Sequence, residues 1–291
     1  MSIRLAGILF VLMLVNVNLL SDSSPPKSLG LIPENFLREN LVPWCIVPYD
    51  VKERSPAQRA AMLSSLGLKR CAYDWRPKHI PEFPDEIKAY KKHGIDFFVF
   101  WKGHPSIYPM FRQNGLKPQI WKTLPKPKAK LQGGKLAEAT NAMLPLAQTC
   151  KREGLKLGLY NHGGWTGEPK NLIAVCKALR ADGYKDVGIV YNFHHAHHDL
   201  EDFSSNFKLM LPYLLCLNLN GMTLPNAEDF KKIRLIGSGV LEQKMIAEVI
   251  ESGYDGPIGI LGHVEKQDVE VVLKNNIEGL ENILKKICVN R

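Results

Sequence analysis

From residue 41 onward, short apolar runs alternate with longer stretches in which apolar residues recur every three or four positions. The runs are LVPWCIVPYD, CAYDW, DFFVFW, LKLGLYNHGGW, DVGIVYNFHHAHHD, LLCLNLNGM, a weak RLIGSG, and PIGILGH. Each reads as a strand, and each is followed by something that reads as a helix. Ser55 with Pro56 predicts an N-cap and first-turn proline for a helix closed by Gly67. Pro84, Asp85 and Glu86 open another that Gly94 stops. Further helices are expected over 136–153, 169–181, 203–212 and 241–251. The last starts at Asp268 and carries Val271, Val272, Ile277, Leu280, Ile283, Leu284 and Ile287 at helical spacing. One stretch breaks the rhythm: residues 105–134 hold five prolines and a run of lysines, and predict a long irregular insertion serving as a lid or a solvated basic loop.

Eight strand–helix repeats without another internal period predict an α/β protein built as a single (β/α)8 TIM barrel over residues 41–291. Ligands of such barrels gather where strands end at their carboxyl side. There the sequence turns polar and nitrogen-rich. Asp50, Asp74 and Arg76 follow the first two strands, and Lys102 and His104 the third. Asn161, His162 and Trp165 follow the fourth, and Asn192, His194, His195 and His197 the fifth. Asn218 and Asn220 share a face of the sixth, and His263 closes the last. Imidazoles suit proton transfer near neutral pH, amides suit hydroxyl oxygens, and a tryptophan beside two glycines suits the apolar face of a sugar. Asp74 and Arg76 read instead as a pair that neutralise each other at a strand end.

Composition changes this picture little. The chain has 291 residues, 45% of them hydrophobic, and a formal net charge of +9. Much of the excess lies in Lys117, Lys122, Lys126, Lys128, Lys130 and Lys135, with no recognised nucleic-acid motif, so no nucleic-acid partner is expected. Six cysteines fall on predicted strands and helices without paired spacing, which predicts mostly buried free thiols, with Cys45 and Cys71 the one pair on adjacent strands. Arg4, an apolar run to Leu20 and polar SDSSPPKS predict a signal peptide over 1–22 and a linker over 23–40. The protein is then exported, periplasmic or secreted; an uncleaved membrane anchor is the alternative, and only in that case would a membrane be a partner.

The succession YNHGGW, VGIVYNFHHAH, LCLNLNGM, LIGSG and PIGILGH resembles the xylose isomerase-like barrels of the sugar phosphate isomerase or epimerase type, over about residues 40–288 and most strongly over 157–222. The resemblance implies carbohydrate chemistry with a divalent metal that polarises a carbonyl and a hydroxyl while an acidic residue moves the proton. It also implies a metal-binding glutamate where this chain has Tyr160, and an aspartate and histidine where it has Asn192 and His195. A further histidine corresponds to Asn218, and a last glutamate falls near Leu261 or Gly262. Three readings follow. The first is a sugar, sugar phosphate or keto-sugar isomerase, epimerase or related lyase with an altered centre. Its catalytic candidates are His162, His195, His197 and His263, its substrate-binding candidates Asn161, Trp165, Asn192, His194, Asn218, Asn220 and Lys102, and its metal candidates His162 and His195, holding zinc or manganese. No nucleotide cofactor is expected. The second is a non-catalytic carbohydrate-binding barrel, and the third an endonuclease-type barrel.

Overall fold

The computed structural model describes residues 31–264 and 266–289. The expected signal peptide or anchor over 1–22, and the expected linker up to residue 30, lie outside them. No helix among the described residues is long and apolar enough to cross a membrane.

Eight strands form one wholly parallel sheet: β1 (Val42–Trp44), β2 (Arg70–Tyr73), β3 (Asp96–Trp101), β4 (Gln119–Thr123), β5 (Leu157–Tyr160), β6 (Val187–Asn192), β7 (Leu214–Leu219) and β8 (Ile258–Leu261). Their order, β1-β8-β7-β6-β5-β4-β3-β2, bends the sheet into a barrel whose one unladdered seam lies between β1 and β2. The crossovers carry α1 (Pro56–Ser65), α2 (Phe83–His93), α3 (Ile107–Asn114), α4 (Gln132–Glu153), α5 (Pro169–Ala181), α6 (Phe203–Met210) and α7 (Glu242–Glu251), and α8 (Val269–Leu284) follows β8. The expected caps form: the Ser55 side chain accepts from the Gln58 N–H, Gly94 takes a left-handed φ of 65°, and the Asp268 side chain accepts from the Glu270 N–H. The fold is the (β/α)8 TIM barrel that the strand–helix repeats predict.

Two elements differ from the sequence reading, and they offset each other. Residues 105–134 are not one irregular insertion, because they contain α3 and β4. β4 offers only Ile120 and Trp121 as an apolar signal, flanked by Pro118 and lysines, yet both side chains are fully buried. RLIGSG, expected as the seventh strand, joins no ladder. It makes one antiparallel bridge, Gly221 to Arg234, and then turns at Gly237, whose φ of 88° suits glycine and breaks extended pairing. Strands from 157 onward are therefore β5 to β8.

Two layers of core result. Between sheet and helices lies the larger apolar cluster, including Tyr73, Phe100, Phe111, Tyr191 and Leu217. Inside the barrel sits a second, with Trp44, Trp101, Trp121, Tyr160, Val190 and Cys216. Four large aromatic rings fit there because neighbouring strands contribute glycine: a Cβ at Gly158 would lie 2.6 Å from Val190 and 2.8 Å from Trp121. Cys45, Cys71, Cys150, Cys176 and Cys216 are buried thiols outside any disulfide, so Cys45 and Cys71 do not pair. The carboxyl-terminal part of the expected linker packs on the barrel: Phe36 is buried, and Asn35 Nδ2 donates to the carbonyls of Tyr254 and Gly256.

Candidate active site

The interior aromatics end in a floor, and above it a cavity of about 510 Å³ opens at the carboxyl ends of the strands. Trp44, Trp101 and Tyr160 form that floor. Their rings pack at centroid distances of 5.3 Å for Trp44–Trp101 and 5.1 Å for Trp101–Tyr160, and Trp44 Nε1 donates to Tyr160 Oη at 3.0 Å. Satisfying the indole and phenol inside the floor leaves their apolar faces for a ligand.

On one side stands Asp74, one residue past β2 and 1% exposed. Its Oδ1 accepts from the backbone N–H of Ile46 at 3.2 Å and of Val47 at 3.1 Å, so the carboxylate ties β2 to the segment after β1 across the barrel seam. Oδ2 is buried without a hydrogen-bond partner among the described residues. Burial pushes the Asp74 carboxyl up to about 7, against smaller lowering effects of the Val47 N–H and Arg76. Arg76 does not pair with this carboxylate as the sequence suggested. Its Nη1 donates to the backbone carbonyls of Asp74 and Trp75 at 2.7 and 2.9 Å, leaving the carboxyl charge uncancelled at contact. Four non-glycine residues among those described have left-handed backbone, and two of them, Cys45 (φ 58°) and Lys102 (φ 64°), line this cavity. Such strain gathers where a fold serves a site.

Opposite Asp74 in the ring of strands, beyond β5 and β6, stand His162, His194 and His195. The rings of His194 and His195 pack at 3.9 Å and those of His162 and His195 at 4.4 Å. His194 and His195 are 6% and 8% exposed, whereas His162 is open to the cavity. Lys232 reaches in from the segment after β7 and sets Nζ 2.8 Å from His195 Nδ1. Desolvation first, then neighbouring positive charge, holds His194 and His195 well below the ordinary imidazole range and lowers His162 as well. All three are neutral at pH 7. A charged Lys232 only donates, so His195 Nδ1 is the acceptor and its proton sits on Nε2.

The remaining sequence candidates divide. Lys102 and His263 line the cavity, His263 stacked on Tyr49 at 3.8 Å. His197 does not; its ring meets Phe230 edge-on at 5.1 Å and its Nε2 is buried without a partner among the described residues. Trp165 also lies elsewhere, its indole donating to Gln132 at 2.8 Å. Asn161, Asn192 and Asn218 are buried beneath the histidines and bond to one another. Asn192 Nδ2 donates to Asn161 Oδ1 and Asn218 Nδ2 to Asn192 Oδ1, both at 2.6 Å. Asn220 Nδ2 donates to the carbonyls of Gly221 and Lys232. Sequence reasoning discounted Asp74 and overlooked Lys232, Trp44, Trp101 and Tyr160. The tryptophans sat within apolar runs, where the period of two that aims them inward was the available signal.

A divalent metal fits these residues poorly. Among the described residues no three histidine, cysteine or carboxylate side chains converge as a cage. The rings of His162 and His195 pack against each other at a tilt of 39°, and Lys232 takes the Nδ1 of His195. Asn161 and Asn192 use their side-chain oxygens on neighbouring asparagines, and amides are weak ligands for a hard cation.

No family model matches the chain, and no curated protein matches it by sequence. Solved structures do match in fold. The 3-keto-D-glucoside 4-epimerase of E. coli aligns with a TM-score of 0.61 at 12% identity, covering 79% of this chain and 95% of that one. A probable 3-DHS dehydratase of Bacillus anthracis gives 0.65 at 10% identity, covering 83% and 99%. A xylose isomerase-like TIM barrel protein of Mycobacterium smegmatis, in complex with magnesium, gives 0.56 at 14%, covering 85% and 97%. At such identities the likeness is one of fold.

Proposed function

We propose that this barrel is a sugar isomerase or epimerase that moves a proton at the carbon beside a carbonyl of a small polyhydroxylated substrate. The observation that carries this reading is Asp74, a cavity-lining carboxyl with one oxygen unpartnered and a pKa near 7, facing a cluster of neutral imidazoles across the strand ring. A carboxyl poised near the working pH is what general acid–base catalysis requires. Two proton carriers on opposite walls can take a proton from one face of a carbon and return it to the other, which is epimerisation; return to the neighbouring carbon or oxygen is isomerisation. The aromatic floor receives the ring or chain of the sugar, and Arg76, Lys102 and His263 are placed to meet its oxygens. A small-molecule sugar is the partner on this reading. The sugar epimerases among the fold relatives agree with it.

The test is a panel of ketoses, keto-glycosides and their phosphates incubated with the purified protein in D2O, followed by NMR. Deuterium entering the carbon next to the carbonyl, with a new epimer or isomer, supports the reading. Binding of sugars with no exchange across the panel would make the chain a carbohydrate-binding barrel.

A further inference from the structure

The cavity carries Arg76, Lys102 and Lys232, and among the described residues none of the three is ion-paired to a carboxylate. Lys232 differs from the other two in how it is held. The residues before and after it pair with the chain leaving β7: Lys231 N–H donates to Thr223 Oγ1 at 2.7 Å, and Arg234 N–H to the Gly221 carbonyl at 2.6 Å. Asn220, buried at the strand end, holds the Lys232 carbonyl at 3.4 Å. The flexible side chain thus starts from a fixed backbone and ends on His195 Nδ1 at 2.8 Å.

We propose that Lys232 is the electrophile of this site, its ammonium rather than a divalent metal ion holding the carbonyl oxygen of the substrate as that oxygen becomes negative. The inference rests on the isomerase or epimerase reading. When a base takes the proton beside the carbonyl, the C–H electron pair becomes the C=C bond of an enediolate. The carbonyl π pair moves onto oxygen, and reprotonation at carbon reverses the flow. That oxygen needs a fixed positive donor in a place poor in water. An ammonium has three N–H groups; His195 takes one and two remain for the oxyanion. His195 acts here as a positioning residue. Partial burial lowers the Lys232 pKa, which makes each remaining N–H a stronger donor. The amides at the ends of β5, β6 and β7 cannot compete for the role, because the Nδ2 groups of Asn161, Asn192, Asn218 and Asn220 already donate to protein acceptors and none of the four lines the cavity.

The experiment uses the full purified chain, Lys232→Met and Lys232→Arg, each checked for unchanged Tm, with glycolohydroxamate as an enediolate mimic measured by calorimetry in excess chelator. The parent binds under chelator, Lys232→Met weakens binding about tenfold or more, as loss of a charged hydrogen bond requires, and Lys232→Arg keeps part of it. Binding that appears only on adding zinc, manganese or magnesium overturns the proposal, as does Lys232→Met binding like the parent, or no binding in any condition. Turnover is scored separately on the keto-sugar panel. A protein that binds hydroxamate through Lys232 and converts nothing loses the isomerase reading but keeps an oxyanion site. One that converts sugars only with added metal keeps that reading and loses Lys232.

Discussion

Lys232 Nζ and His195 Nδ1 lie 2.8 Å apart, joining the segment after β7 to the turn after β6 at the cavity wall. The contact depends on Asn220, which bonds the Lys232 carbonyl. Replacing Asn220 with Ala removes that hold together with a buried oxygen that had no partner, Asn220 Oδ1. The global Tm is expected to change by a few degrees at most, while backbone amides of residues 231–234 exchange with solvent faster. Hydrogen-exchange mass spectrometry checks this, and unchanged protection there would remove Asn220 from the positioning of Lys232.

Asp74 links pH to both stability and rate. Its folded pKa of about 7 stands above the ordinary carboxyl value of 3.8. A raised carboxyl pKa means that the folded state holds the proton more tightly than the unfolded one. Its contribution to stability is therefore complete below 3.8 and lost as pH rises through about 7. Asp74→Asn keeps the oxygen that accepts from Ile46 and Val47. Thermal melts from pH 5 to pH 8 should therefore show the variant gaining on the parent as pH rises, by up to a few kcal/mol at about 1.4 kcal/mol per unit. A constant difference would place the Asp74 pKa near its ordinary value.

The buried imidazoles act in the other direction. His194 titrates well below 6.5 in the folded protein because ionising it means desolvating a charge beside Lys232 and other histidines. The unfolded chain takes up a proton below 6.5 that the folded chain refuses, so this stability is present above 6.5 and lost as pH falls. His194→Gln is expected to flatten the loss of Tm between pH 6.5 and 5. A variant with the same acid slope as the parent would contradict the assignment.

Gly259 lies against Asn218: a Cβ there would come within 1.7 Å of Asn218 Oδ1. Gly259→Ala must displace an amide that also bonds Asn192. The expected cost is about 1–3 kcal/mol of stability, typical of overpacking, read as a drop in Tm. The loss should be smaller when Asn218→Ala is added.

Much of the barrel was legible because its elements are short and punctuated. Ser55, Gly94 and Asp268 mark helix ends that the structure keeps. β4 was hidden because a strand buried by two apolar residues between lysines carries almost no period-two signal. RLIGSG misled in the opposite sense, since its apolar residues pack in a turn and not in a ladder. At the site, strand-end histidines could be picked from composition, and His162, His194, His195 and His263 do line the cavity. Whether an amide faces the cavity or bonds a neighbour depends on side-chain geometry that spacing cannot convey, and Asn161, Asn192 and Asn218 bond one another. Asp74 was discounted for the same reason: adjacency to Arg76 suggested a pair, whereas the guanidinium turns to backbone carbonyls.

The most direct test of the account compares deuterium exchange into a converted keto-sugar by the parent and by Asp74→Asn between pH 5 and 9. If Asp74 is a proton carrier, parent kcat/KM rises through pH 7, and the variant loses about a hundredfold or more, in the range of a general base, while still binding the sugar. Exchange at the parent rate in Asp74→Asn, with the same pH profile, would remove Asp74 from the chemistry and with it the proton-transfer reading of this cavity.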